Sequence, residues 1–205
     1  MKFLKSGLFV SLFALLLTFG TIFAAPANVQ AAESSNTERW MDVCSDVADT
    51  LEKRDFVYSN GGTKSTLSSA IKYRKRSNCA LYVSWCLQRY GALRSGQTFY
   101  IRRGSSHIHK NFSRWNSKRV NVIRVNKRAS RVNLKKGDVV VWSSMGHVNI
   151  YAGTSSKSGD RLWYDAGKSS TYSHCSGSQY KNIGRKSLSY LNSKTISYII
   201  RIKNL

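Results

Sequence analysis

The chain is short of proline and of acids. Its single proline among 205 residues is Pro26, so no proline-rich linker marks a second domain downstream. Only 10 Asp and Glu stand against 33 Lys and Arg, a formal charge of +23. That excess is too large for a balanced solvated surface and predicts adhesion to polyanions. There is no Cys-x-x-Cys, and the four histidines are dispersed. His107 and His109 could offer two ligands on one strand face, but their basic, Gly/Ser-rich surroundings read as a loop. The acidic or histidine-rich clusters of many metal-dependent nucleases are missing. No nucleic-acid-binding motif accompanies the basic residues. No specific nucleic acid partner, metal or cofactor is therefore implied. Internal repeats and low-complexity tracts are absent as well.

The longest apolar stretch is at the start. Lys2 and Lys5 precede a mostly apolar run over residues 8–23, and Val29-Gln30-Ala31 offers a small-x-small cleavage site. This is the pattern of a secretory signal peptide. No later stretch could span a membrane. The expected organisation is a signal over 1–31, a helical extension over 32–65 and one domain over 66–205, placed outside the cell as a monomer. Without Lys2 and Lys5 the remaining chain still carries +21.

Beyond the signal, the chain alternates between helical and extended patterns. Residues 37–53 place Trp40, Val43, Cys44, Val47 and Leu51 on one face, with Thr37 as a cap and most of the acids elsewhere. A short extended piece, Phe56-Val57-Tyr58, leads to the turn Ser59-Asn60-Gly61-Gly62. A second helix is expected over 66–75. Residues 92–118 read as a long irregular segment carrying Phe99, Tyr100, Phe112 and Trp115, and long ordered loops are often binding loops. Strands are expected over 119–126, 139–142, 147–152, 161–165 and 196–202, with 177–186 as loop. The three middle strands, joined by short turns, make an antiparallel meander.

The third helix carries the chemistry. In Asn78-Cys79-Ala80-Leu81-Tyr82-Val83-Ser84-Trp85-Cys86, Asn78 is a natural N-cap. Cys79 comes next, in the first turn, where the helix dipole favours a thiolate, the nucleophilic form of cysteine. Cys79, Tyr82, Val83, Cys86, Leu87 and Tyr90 form one apolar stripe, with Cys79 at the exposed end and Gly91 as the stop. The four cysteines, Cys44, Cys79, Cys86 and Cys175, allow three pairings. Cys79 and Cys86 lie two turns apart, about 10 Å along the axis, too far to join. If a bridge exists, Cys44–Cys175 is the geometrically free choice.

An antiparallel sheet covering the apolar stripe brings strand ends close to the helix N-terminus. His147 starts a strand directly after Gly146 and can take the Cys79 proton. Asp165 ends the neighbouring strand and can orient the imidazole. The Cys79 backbone N–H is a ready oxyanion donor.

The segments NCALYVSWCLQRYG, LKKGDVVVW, GHVNIYAG and WYDAG resemble the NlpC/P60 cysteine peptidoglycan hydrolases. The resemblance implies an α+β, papain-like fold with the cysteine helix packed on an antiparallel sheet. It also implies a thiol hydrolase of amide bonds in peptidoglycan stem peptides, with Cys79 as nucleophile, His147 as base and Asp165 as third member. The family commonly has Asp-Cys-Ser-Gly at the nucleophile, His, Asn or Gln in third place, and a tyrosine about a dozen residues before the cysteine. This chain has Asn-Cys-Ala-Leu, Asp165, and Tyr73 six residues before. Those differences also fit the related CHAP amidases. Peptidoglycan and anionic wall polymers are the expected partners. The competing reading is a non-catalytic cationic wall-binding protein on a hydrolase-like fold.

Overall fold

The computed structural model describes residues 27–61, 63–98, 118–143, 145–167 and 184–205. Most of the signal-like segment, the aromatic loop segment from 99 to 117, His107, His109 and Cys175 lie outside them.

Three helices come first. Helix α1 (Ala27–Lys53) starts earlier than the sequence pattern places it, and Thr37 lies inside it instead of capping it. Nothing between Ala27 and Asn36 breaks a helix, and Ala, Gln and Glu favour one. Trp40, Cys44, Val47 and Leu51 are buried on its inner face, while Asp42, Asp46, Asp49 and Glu52 are exposed. Strand β1 (Val57–Tyr58) comes after it. Thr66 then caps α2 (Leu67–Tyr73) by accepting a hydrogen bond from the Ser69 N–H. Strand β2 (Arg76–Ser77) pairs in parallel with β1, Tyr58 opposite Ser77.

Helix α3 (Cys79–Tyr90) has both expected ends. The Asn78 carboxamide oxygen accepts from the Leu81 N–H at 3.0 Å, a cap worth about 1 kcal/mol. Gly91 closes the helix at φ +84°, where a side chain would be strained. The expected single stripe is too narrow a description, because every residue from Cys79 to Leu87 is buried. One face meets the sheet. The other is covered by the preceding segment, with Phe56 edge-on to Trp85 at 6.0 Å and the Trp85 indole N–H on the Ser65 carbonyl at 3.1 Å.

The rest is a six-stranded antiparallel sheet in the order β3-β8-β4-β5-β6-β7. Its strands are β3 (Val120–Arg128), β4 (Val139–Trp142), β5 (Val148–Thr154), β6 (Arg161–Asp165), β7 (Gly184–Ser187) and β8 (Thr195–Ile202). The meander β4-β5-β6 is as the turns predict. Two features are not. Residues 184–187, expected largely as loop, form the edge strand β7 on β6. Also, β8 inserts between β3 and β4.

Strand alternation divides the sheet's side chains between two cores. Val139, Val141, Val148, Ile150, Ala152, Tyr164 and Ile200 pack with α1 and α3. Val140, Trp142, Tyr151, Trp163, Ile196 and Ile199 face the other way, under Ala129, Leu134, Leu188 and Leu191. The aromatics Trp142, Tyr151 and Trp163 are therefore core.

The turn before β4 joins helix layer to sheet. Gly137 has φ +98°, and a Cβ there would come within 2.9 Å of Trp40 and 2.8 Å of Leu205. The Trp40 indole N–H donates to its carbonyl at 3.1 Å. Only glycine meets both demands. Next to it, buried Asp138 accepts the Lys135 backbone N–H at 2.8 Å and both guanidinium contacts of Arg201 at 2.7 Å. That clasp ties the start of β4 to the end of β8.

Candidate active site

Cys79, His147 and Asp165 come from three places in the chain and meet at one end of the sheet. The α3 cap puts Cys79 in the first helical turn. The turn ending at Gly146 delivers His147 immediately before β5. Asp165 ends β6, which runs antiparallel to β5 with Ile150 opposite Tyr164.

The His147 Nε2 lies 2.7 Å from the Asp165 Oδ1. Asp165 is fully buried at its side chain and His147 is 14% exposed there. The same Oδ1 accepts the Ala166 backbone N–H at 2.9 Å, which holds the carboxylate in place. Asp165 Oδ2 is buried and has no hydrogen-bond donor among the described residues. With Nε2 committed to Asp165, Nδ1 is the nitrogen left to serve the Cys79 sulfur, on whose ionisation His147 acts.

Electrostatics favours the ion pair. Burial works against a charged Cys79, but the His147 charge and hydrogen bond, with the Val148 N–H, outweigh it and hold the thiol below its ordinary range. Burial likewise works against a charged His147. The Asp165 and Cys79 charges, with hydrogen bonds to both, raise it well above the usual imidazole value. Opposite shifts on two groups in contact describe a thiolate–imidazolium pair.

The site also corrects the sequence reading. Cys79 is 4% exposed, not an open helix end. Tyr73 lies on the surface at 63% exposure, with Lys64 and Lys72 over its ring. The tyrosine beside the sulfur is Tyr58, its hydroxyl 4.0 Å from Cys79 Sγ. Burial and the Cys79 and Asp165 charges push its phenol upward, so it stays a donor. Its placement follows from the β1–β2 pairing and from Asn78, whose Nδ2 donates to the Ser59 carbonyl at 3.3 Å. Tyr190, 40% exposed, has its phenol raised to about 12 by burial and then by the Asp165 charge. No local motif marks Tyr58, since it reaches the site through long-range packing.

This arrangement can activate a thiol, hold an imidazolium for proton return and offer N–H donors of the first α3 turn to an oxyanion. A CHAP domain is found at residues 68–162. It is the second of the two related families that the sequence resembles. Cys79 and His147 fall inside the match, and Asp165 falls just beyond its end. No curated protein and no solved structure matches the chain.

Proposed function

We propose that this CHAP-type cysteine hydrolase is exported and cleaves amide bonds in peptidoglycan stem peptides. The observation that carries the reading is the line from the Cys79 sulfur through His147 to a fully buried Asp165, with 2.7 Å between the last two. In the proposed reaction the Cys79 thiolate attacks the scissile carbonyl. The first-turn N–H of α3 faces the developing oxyanion. The His147 imidazolium gives its proton to the departing amine, leaving a thioester. His147 then takes a proton from water, which attacks the thioester and frees Cys79. Asp165 keeps the imidazole oriented and offsets its charge throughout. The finer fold reading is papain-like, with residues 1–31 as the export signal and 66–205 as the catalytic unit.

Charge supports the wall as partner. At the end of β4 away from His147 is a cleft of about 300 Å³, whose lining includes Lys135, Lys136, Arg201 and Lys203. Asp138, already clasped by Arg201, is its one acidic side chain among the described residues. Such a surface suits the phosphates of anionic wall polymers.

The test is clearing of purified Gram-positive peptidoglycan by the parent and by Cys79→Ala. Clearing by the parent alone, with new amino termini in the soluble fragments, supports the reading. Salt should release both proteins from walls alike. Clearing by both would remove Cys79 from the chemistry. Salt-sensitive binding without clearing by either would favour a non-catalytic wall-binding protein.

A further inference from the structure

Two thiols outside the site face each other in the core. Cys44 on α1 and Cys86 on α3 are both fully buried. Contacts on either side set the register of the two helices. Trp40 stacks edge-on against Tyr90 with ring centroids 5.3 Å apart. The Tyr82 hydroxyl donates to the Cys44 carbonyl at 2.9 Å. Tyr90 and Tyr82 lie one helical turn to either side of Cys86, and Trp40 lies one turn before Cys44. The helices therefore run antiparallel with Cys44 opposite Cys86, both of them free thiols in this structure, and burial together with the neighbouring Cys86 pushes the Cys44 thiol upward. Among the described residues Cys79 is the cysteine left over. It lies two turns from Cys86 on the same helix, about 10 Å along the axis, and points to His147.

We propose that Cys44 and Cys86 form a disulfide that staples α1 to α3 and leaves Cys79 as the free thiol of the active site. This pairing replaces the Cys44–Cys175 bridge that spacing alone leaves open. The oxidant is a disulfide, either of a thiol–disulfide oxidoreductase or of a small molecule. One thiolate of the pair attacks it and expels a thiolate, forming a mixed disulfide. The second then attacks the protein sulfur of that mixed disulfide and expels the other thiolate. Two electrons and two protons leave the pair, and the oxidant becomes two thiols. Because both sulfurs are buried in the folded protein, exchange takes place as the chain folds, before α1 closes on α3.

The staple has a consequence for function. An unpaired Cys44 or Cys86 in an oxidising compartment could capture Cys79 during folding, whereas pairing removes both from competition. The bridge also anchors α1, whose Trp40 seats Gly137 at the base of β4.

The full chain, unfolded with reductant and refolded in a glutathione redox buffer, tests this whether or not the chain is exported and whether or not it cleaves peptidoglycan. After alkylation without reductant and proteolysis, a cross-linked peptide joining Cys44 to Cys86, about 2 Da lighter than the two thiol peptides together because two hydrogens are lost, supports the proposal. A bridge that includes Cys79 or Cys175, or four alkylated thiols, overturns it. Thermal unfolding gives a second reading. Reductant should lower Tm of the refolded parent by roughly 5–10 °C and leave that of Cys44→Ala and of Cys86→Ala unchanged. An equal effect on parent and variants, or none on the parent, also overturns it.

Discussion

Replacing His147 with alanine isolates what the imidazole does to the sulfur. Burial and the Asp165 charge both push the Cys79 thiol upward, and only the His147 charge and hydrogen bond with the Val148 N–H oppose them. In His147→Ala the two upward influences remain and the larger downward one is gone. The thiol should then ionise at or above its ordinary value instead of below it. Each unit of upward shift cuts the thiolate fraction about tenfold at a pH well below the pKa, so alkylation of Cys79 at pH 6 should slow by about tenfold or more. The assay is timed iodoacetamide labelling, followed by mass spectrometry of the Cys79 peptide so that Cys175 does not contribute. The signs also set the shape of the activity profile. Turnover should fall toward acid as the thiolate takes up a proton. It should fall again toward alkali as the raised imidazolium loses its own. Equal labelling rates in parent and variant at pH 6, with unchanged pH midpoints, would refute the ion-pair reasoning.

Two further substitutions separate chemistry from scaffold. Tyr58→Phe removes the donor 4.0 Å from the sulfur and should lower turnover by about tenfold with Tm unchanged. That is less than the ~10²–10³ of a primary oxyanion donor, because the contact is long; unchanged turnover would remove Tyr58 from the site. Asp138→Ala leaves Arg201, about a quarter exposed, without its carboxylate, and opens the Lys135 turn. Breaking such a pair should cost about 3 kcal/mol, or roughly 6–12 °C in Tm for a chain of this size. A shift under about 2 °C by calorimetry would show that the clasp is dispensable.

What could be read from the residues in order is what short-range physics controls. The Asn78 cap, the Gly91 stop and the apolar periodicity between them define α3, because caps and backbone hydrogen bonds act within a few residues. Turn residues and alternation define β4, β5 and β6 for the same reason. The motifs around Cys79 and His147 were legible too, since each belongs to one local element. Tertiary structure decided the rest. β8 enters between β3 and β4, and residues 184–187 become a strand only because β6 offers them an edge. Tyr58, not Tyr73, stands beside the sulfur because a parallel pairing across the intervening α2 carries it there. Cys44 meets Cys86, and Asp138 meets Arg201, across long separations in the chain. No local pattern encodes such contacts. They form when helix and sheet close on shared cores, and the partner is then chosen by packing.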